Sequence, residues 1–248
     1  MTLSGKVAIV TGGGRGLGAG YCRALAADGA RVVVADIAED GARDVAGEIG
    51  GLAVRVDVSD DDSVRSLIAT TMERYGRIDI LINNAALYSE LLRPPKAFDA
   101  IAIDEWDRVM AVNVRGVWRC CVAVAPVLRR QRSGVIINIS SGTIFFGAPG
   151  FLHYVTSKAA VWGMTRALAR ELGDAGVRVN TITPGHTSSE AARAVYSPEA
   201  LQASAQRRVF KREETGDDLI GTVLFLCSDA SAFITGQTLN VDGGAHMH

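Results

Sequence analysis

Tyr154-Val155-Thr156-Ser157-Lys158 sets a phenol and an ammonium four residues apart at the start of a long helical pattern, which stacks them on one helix face. A cation beside a phenol stabilises its phenolate form, so Tyr154 can give a proton to a substrate oxygen or take one from it. Taken alone, the pair reads better as a surface tyrosine beside a solvated lysine. The residues upstream decide between these readings. The apolar run Ile136-Ile137-Asn138-Ile139 ends in Ser140-Ser141, and Ser141 is placed to hydrogen-bond a developing oxyanion. Asn113 lies between Val112 and Val114, where a helix would turn an apolar face inward, so its amide needs partners. It is either a satisfied core residue or the holder of a water in a proton relay.

Such a set interconverts an alcohol and a carbonyl if a hydride carrier sits beside it. Thr11-Gly12-Gly13-Gly14-Arg15-Gly16-Leu17-Gly18 follows the first apolar run and leads into the first helical pattern. Glycine permits positive φ and close backbone approach, and amides at a helix start face an anion where the helix dipole favours it. The sequence therefore predicts a pyrophosphate there, held by Gly12, Arg15, Gly16, Leu17 and Gly18. Asp36 ends the second run, where a carboxylate can bond the adenosine ribose hydroxyls and repel a 2′-phosphate, which favours NAD over NADP. Arg15 could attract that phosphate but does not remove the carboxylate. The competing reading of Asp36 is a helix N-cap.

These groups need a scaffold. β-branched runs at Val7–Val10, Val32–Ala35, Ala53–Val56, Ile80–Ile82, Val135–Ile139, Arg178–Thr181 and Thr238–Val241 alternate with helical patterns at about 17–28, 39–48, 61–75, 105–131, 152–173 and 215–228. That alternation predicts an α/β fold: a Rossmann-type, doubly wound parallel sheet of about seven strands flanked by helices. No repeat or linker divides it, so residues 1–248 read as a single domain. Two connections are long, Leu87 to Ile103 and Gly185 to about Arg212, and the second, polar and interrupted by Pro198, reads as a substrate loop or lid.

Composition narrows the partners. With 26 basic and 27 acidic residues the formal net charge is −1, so nothing points to nucleic acid or an anionic membrane. Cys22, Cys120, Cys121 and Cys227 lack metal or disulfide spacing and read as buried thiols of a reducing cytoplasm. No leader and no run long enough to span a bilayer are expected, nor any metal site. His246 and His248 read as a disordered or interface tail.

With these residues on the page, the chain resembles the short-chain dehydrogenase/reductase family, in its classical subgroup, over nearly its whole length. Gly12, Gly16 and Gly18 match its TGxxxGxG; Asp57-Val58 matches its adenine-contacting pair; Asn83-Asn84-Ala85-Ala86 matches its NNAG, with Ala86 in place of glycine. Asn113, Ser141, Tyr154 and Lys158 match its catalytic tetrad. The resemblance implies that Ser141 positions the carbonyl oxygen, Tyr154 transfers the proton, Lys158 supports Tyr154 and bonds the nicotinamide ribose, and Asn113 links Lys158 to solvent through water. Pro184-Gly185 matches the turn beside the nicotinamide, with Thr187 and Ser189 following it and serine standing where threonine is usual. Asn83, Asn84 and Ala85 are likewise expected against the cofactor. The stretch Phe233 to Gly244 is like that of tetrameric members, implying a homotetramer.

By the same resemblance the substrate pocket draws on Leu87, Tyr88, Leu91, Leu92, Ile144, Phe145, Phe146, Phe151 and His186, a mostly apolar set, with Arg93 and Lys96 as the basic residues nearby. The expected function is NAD-dependent hydride transfer at a hydrophobic secondary alcohol or ketone, cyclic and aromatic ones being the nearest likeness. The alternatives are a 3-oxoacyl-thioester reductase, whose usual NADPH preference fits poorly with Asp36, and a catalytically silent dinucleotide-binding scaffold.

Overall fold

Valine and isoleucine are stiff at χ1 and pack well on a pleated surface, and seven segments rich in such residues pair in parallel. The structure is a computed structural model that describes residues 2–88, 95–193 and 197–247. Its strands are β1 (Val7–Thr11), β2 (Arg31–Asp36), β3 (Leu52–Arg55), β4 (Ile80–Asn83), β5 (Gly134–Ile139), β6 (Val177–Pro184) and β7 (Thr238–Val241), in the order β3-β2-β1-β4-β5-β6-β7. Every expected strand is present. β6 runs on to Pro184 because the Ile182 and Pro184 carbonyls accept from Ser140 N and Gly142 N, both at 2.8 Å.

Helices cover both faces. On one, α1 (Gly16–Ala27), α2 (Glu39–Ile49) and α10 (Asp217–Cys227) pack over Ala8, Val10, Val32, Val34, Ile80 and Ile82. On the other, α3 (Asp61–Tyr75), α5 (Val117–Gln131) and α7 (Leu152–Leu172) cover Ile9, Val33, Leu81 and Ile136. Burial on both faces explains why the strands read as continuous apolar runs rather than as alternating ones.

The helical pattern expected over 105–131 is divided. α4 (Ile103–Met110) passes into a π-helical turn, Ala111–Gly116, before α5 begins. Such turns concentrate at functional sites, and this one carries Asn113. The run Ile103–Gln131 is, by length and hydropathy, able to cross a membrane, contrary to the expectation of no such run; half of its most apolar window is buried in the protein. Val117, Cys120, Cys121, Val124 and Leu128 are those buried groups, so packing accounts for the hydropathy.

The connection read as a long polar loop contains helices. After the four-residue α6 (Thr143–Phe146) and α7, the chain adds α8 (Glu190–Arg193) and α9 (Pro198–Arg207). Pro198 starts α9 instead of interrupting the loop: proline has no N–H to lose in a first turn, and the Ser197 hydroxyl caps the helix by accepting from Ala200 N at 3.3 Å.

Candidate active site

β1 pairs with β2 on one side and β4 on the other, so successive connections leave the sheet in opposite directions there. Open α/β sheets form their crevice beyond the carboxyl ends of the strands at such a point. Here it is a cleft of about 1020 Å³. All four glycine-loop contacts from Gly12 to Gly18 that the sequence named beside Arg15 line it, as do Asp36, Asp57, Val58, Asn84, Ala85, Ser141, Tyr154, Lys158, Pro184, Gly185, Thr187 and Ser189.

At the loop, a Cβ on Gly18 would lie 2.0 Å from the Gly12 carbonyl oxygen, so only glycine lets α1 start this close to β1. Gly16, at φ +54°, has nothing within 4 Å of its missing Cβ and faces open cleft. A close-approach cradle with open space at a helix start fits a dinucleotide pyrophosphate. Asn84 props the loop, donating from Nδ2 to the Thr11 and Gly12 carbonyls at 3.1 and 3.0 Å.

Asp36 is 7% exposed, and its carboxylate accepts from Gly14 N and from Ala38 N, each at 2.9 Å. The second bond only shapes the turn into α2, whose N-cap is Ala38 with no side-chain cap bond, so Asp36 is not the N-cap of the competing reading, and its side chain lines the cleft. Asn83 is a correction. It does not line the cleft: its Nδ2 donates to Asn138 Oδ1 at 2.8 Å inside the core, because successive β4 residues point to opposite faces of the sheet.

Ser141, Tyr154 and Lys158 converge from the end of β5 and from α7, whereas Asn113, on the π turn, does not reach the cleft. Ser140 donates to the Lys158 carbonyl at 2.8 Å and so ties α7 to the end of β5. Ser141 Oγ accepts from Thr143 N at 3.2 Å and from Thr143 Oγ1 at 3.0 Å. A hydroxyl has two acceptor positions and one proton to donate; with both acceptors filled, the Ser141 proton is left for a partner in the cleft. Thr143 was not singled out from the sequence, and only a hydroxyl two residues after Ser141 hinted at it.

Lys158 is 4% exposed and donates to the Ile139 carbonyl at 2.9 Å, which leaves two further N–H donors. Burial pushes its ammonium down to about 8. Its Nζ lies 5.7 Å from the centre of the Tyr154 ring, and Tyr154 packs on Tyr88 at 5.3 Å between ring centroids. Asn113 is buried outside the cleft, and its amide is spent: Oδ1 accepts from Leu87 N at 2.8 Å, while Nδ2 donates to Leu87 O and Ser157 Oγ. Its side chain pins the chain leaving β4 to α7.

Beyond β6, Thr187 Oγ1 donates to Glu214 Oε1 at 2.7 Å, which leaves its lone pairs to accept. Burial pushes the Glu214 carboxyl up to about 7 although Arg208 lies beside it at 3.3 Å. Arg208, itself 2% exposed, also donates to the carbonyls of His186, Arg212 and Asp242, fixing the end of α9 to both β6 and the chain after β7. Sequence reasoning missed this hub, since one arginine among several in a polar stretch carries no signal.

At the substrate end, Leu87, Tyr88, Phe146, Phe151 and His186 line the cleft as expected, whereas Ile144 and Phe145 do not. The single turn of α6 presents Thr143 and Phe146, three residues apart, and turns the two between them away. Leu91, Leu92, Arg93 and His248 lie outside the described residues. Lys96 is not in the cleft but pairs with Glu105, which also meets His153 Nε2 at 3.1 Å. His246, expected in a loose tail, lines the cleft. Among the described residues no three His, Cys, Asp or Glu side chains gather as a metal site.

A family model described as Enoyl-(Acyl carrier protein) reductase matches residues 12–246. A 3-oxoacyl-[acyl-carrier-protein] reductase of Synechocystis is 39% identical over 99% of this chain and 98% of its own length. A probable galactose dehydrogenase of Rhizobium meliloti is 36% identical over 95% of this chain and 93% of its own. Among solved structures, a 3-ketoacyl-(acyl-carrier-protein) reductase from Brucella melitensis complexed with NADH superposes with a TM-score of 0.91 at 33% identity, covering 99% of this chain and 100% of that one.

Proposed function

The chain belongs to the short-chain dehydrogenase/reductase family, and on that premise we propose that it moves a hydride between a nicotinamide dinucleotide and a secondary alcohol or ketone carbon. The observation that carries this reading is the convergence of the Ser141 hydroxyl, the Tyr154 phenol and the Lys158 ammonium on one cleft whose other end is the glycine cradle. A bound nicotinamide supplies or accepts the hydride. Ser141 donates to the substrate oxygen, its own acceptors being held by Thr143. Tyr154 gives that oxygen its proton in reduction and takes it in oxidation. Lys158, with two donors beyond its bond to Ile139, supports the phenolate and holds the ribose.

Asp36 favours NAD(H). Its carboxylate is oriented by two backbone amides, keeps lone pairs for ribose hydroxyls, and would sit against the charge of a 2′-phosphate. The names of the relatives support a 3-oxoacyl thioester as the substrate better than the hydrophobic alcohol expected from the sequence, and the NADH complexed with the Brucella reductase is in keeping with Asp36 in such an enzyme. A second reading, a hydrophobic secondary alcohol or ketone, is favoured by Tyr88, Phe146 and Phe151 in the wall. His186, Thr187, Ser189, Ala200 and Ser204 in the cleft wall support a substrate loop over the described part of 185–212. Exposed Trp118 and Val122 on α5 and Trp162 on α7 support a homotetramer, and four buried free thiols suit the cytoplasm.

The test is turnover of a 3-oxoacyl thioester and a panel of secondary alcohols and ketones with NAD(H) and NADP(H). Turnover with NADH confirms the reading. Cofactor binding without turnover of any of them would leave a silent dinucleotide-binding scaffold.

A further inference from the structure

The chain after β7 builds into the cleft a polar group that the proposed reaction does not use. Asp242, 3% exposed, folds this segment back on itself: its carboxylate accepts from Gly244 N at 2.9 Å, Ala245 N at 3.1 Å, His246 N at 2.9 Å and His246 Nδ1 at 3.0 Å. The His246 carbonyl in turn accepts from Asn240 Nδ2 at 3.1 Å. A carboxylate can only accept, so the proton of the imidazole contact sits on Nδ1. One face of the ring is covered as well, by Phe146, with centroids 4.8 Å apart and planes 13° from parallel.

Phe146 ends α6, which begins two residues after Ser141, so the imidazole stands on the Ser141 side of the cleft. With Nδ1 and one face committed, Nε2 is the remaining polar atom of a side chain that is 31% exposed. This atom can exchange a hydrogen bond with a group in the cleft. Phe146 stacks on the ring and Ala245 precedes it in the same wall. A hydroxyl, which both donates and accepts, pairs with this nitrogen, whereas a purely apolar group there would leave it unpaired.

We propose that His246 is a specificity-determining residue whose Nε2 hydrogen-bonds a substrate hydroxyl remote from the reacting carbon, so that the substrate is a hydroxylated secondary alcohol or ketone. This rests on the hydride-transfer reading above.

The experiment compares kcat/KM for two matched pairs, 1-phenylethanol with 1-(3-hydroxyphenyl)ethanol and a 3-oxohexanoyl thioester with its 6-hydroxy analogue, in wild type, His246→Phe and His246→Gln. Phenylalanine keeps the stacking on Phe146 and removes both nitrogens; glutamine restores an acceptor. Wild type is expected to prefer the hydroxylated member of at least one pair. In His246→Phe that preference falls by about three- to tenfold, the worth of one neutral hydrogen bond, while NADH affinity and turnover of the plain substrate hold, and glutamine recovers part of the loss. Wild type lacking any such preference overturns the proposal whether or not the variants fold, as does a preference unchanged by phenylalanine. Absence of wild-type turnover with every substrate overturns the hydride-transfer reading instead.

Discussion

Lys158→Met should stabilise the apoprotein while destroying its chemistry. Burial brings the Lys158 ammonium from 10.5 down to about 8, and each unit corresponds to about 1.4 kcal/mol, so keeping this cation in the folded chain costs about 3 kcal/mol at pH 7. Methionine keeps the apolar stem and drops the charge. It also loses the bond to the Ile139 carbonyl, worth about 1 kcal/mol, which leaves a net gain of about 2 kcal/mol. For a chain of this size that raises the melting temperature by about 4–8 °C. The pH dependence gives the sharper test. Below pH 8 both the folded and the unfolded wild type carry the proton, and the folded state bears the whole cost. Between pH 8 and 10.5 the unfolded chain binds more protons than the folded one, so wild-type stability rises with pH through that interval. The advantage of the methionine variant should therefore shrink by about 2 kcal/mol from pH 7 to pH 10. Urea unfolding of both apoproteins at pH 7, 9 and 10 measures this, and groups common to both cancel in the difference. A methionine variant less stable than wild type at pH 7, or a difference that does not move with pH, would refute the claim that Lys158 is held charged at a cost in stability.

Tyr154→Phe retains the packing on Tyr88 but removes the proton donor, so turnover should fall by about 10²–10⁴-fold with NADH affinity within a few-fold of wild type; retention of a tenth of the turnover would send the proton through another group. Thr143→Val removes the hydroxyl that donates to Ser141 and should lower kcat by about three- to tenfold with cofactor affinity unchanged, as steady-state kinetics will report. Asp36→Ala should weaken NADH and narrow its advantage over NADPH in calorimetric titration, and an unchanged ratio would remove Asp36 from cofactor choice. Exhaustive chelation should leave turnover intact; activity restored by one specific divalent ion would contradict this.

Local pattern carried much of the scaffold. Strands such as Val32–Ala35 are apolar on both faces, and only a sheet covered by helices on both sides buries such a run, so fold class followed from composition over a few residues. What was hidden depends on contacts between distant segments. Asn83 and Asn84 are adjacent and alike in sequence, yet strand alternation sends one to Asn138 in the core and the other to the glycine loop. The break of 103–131 into α4, a π turn and α5 leaves the apolar period nearly untouched, so periodicity could not reveal it. Pro198 was ambiguous because a proline both breaks a helix and begins one, and only Ser197 immediately before it indicates which. His246 shows the same limit at the site itself. Two histidines after a pair of glycines look like a loose tail, and nothing local says that Asp242, four residues before His246, folds that histidine back. That knowledge lies in the packing of Gly185 against Asp242, whose Cβ would stand 2.7 Å from one on the glycine. The turn beside the expected nicotinamide and the segment after β7 are thus one packed unit, so the placement of His246, the residue proposed to select the substrate, depends on long-range contacts.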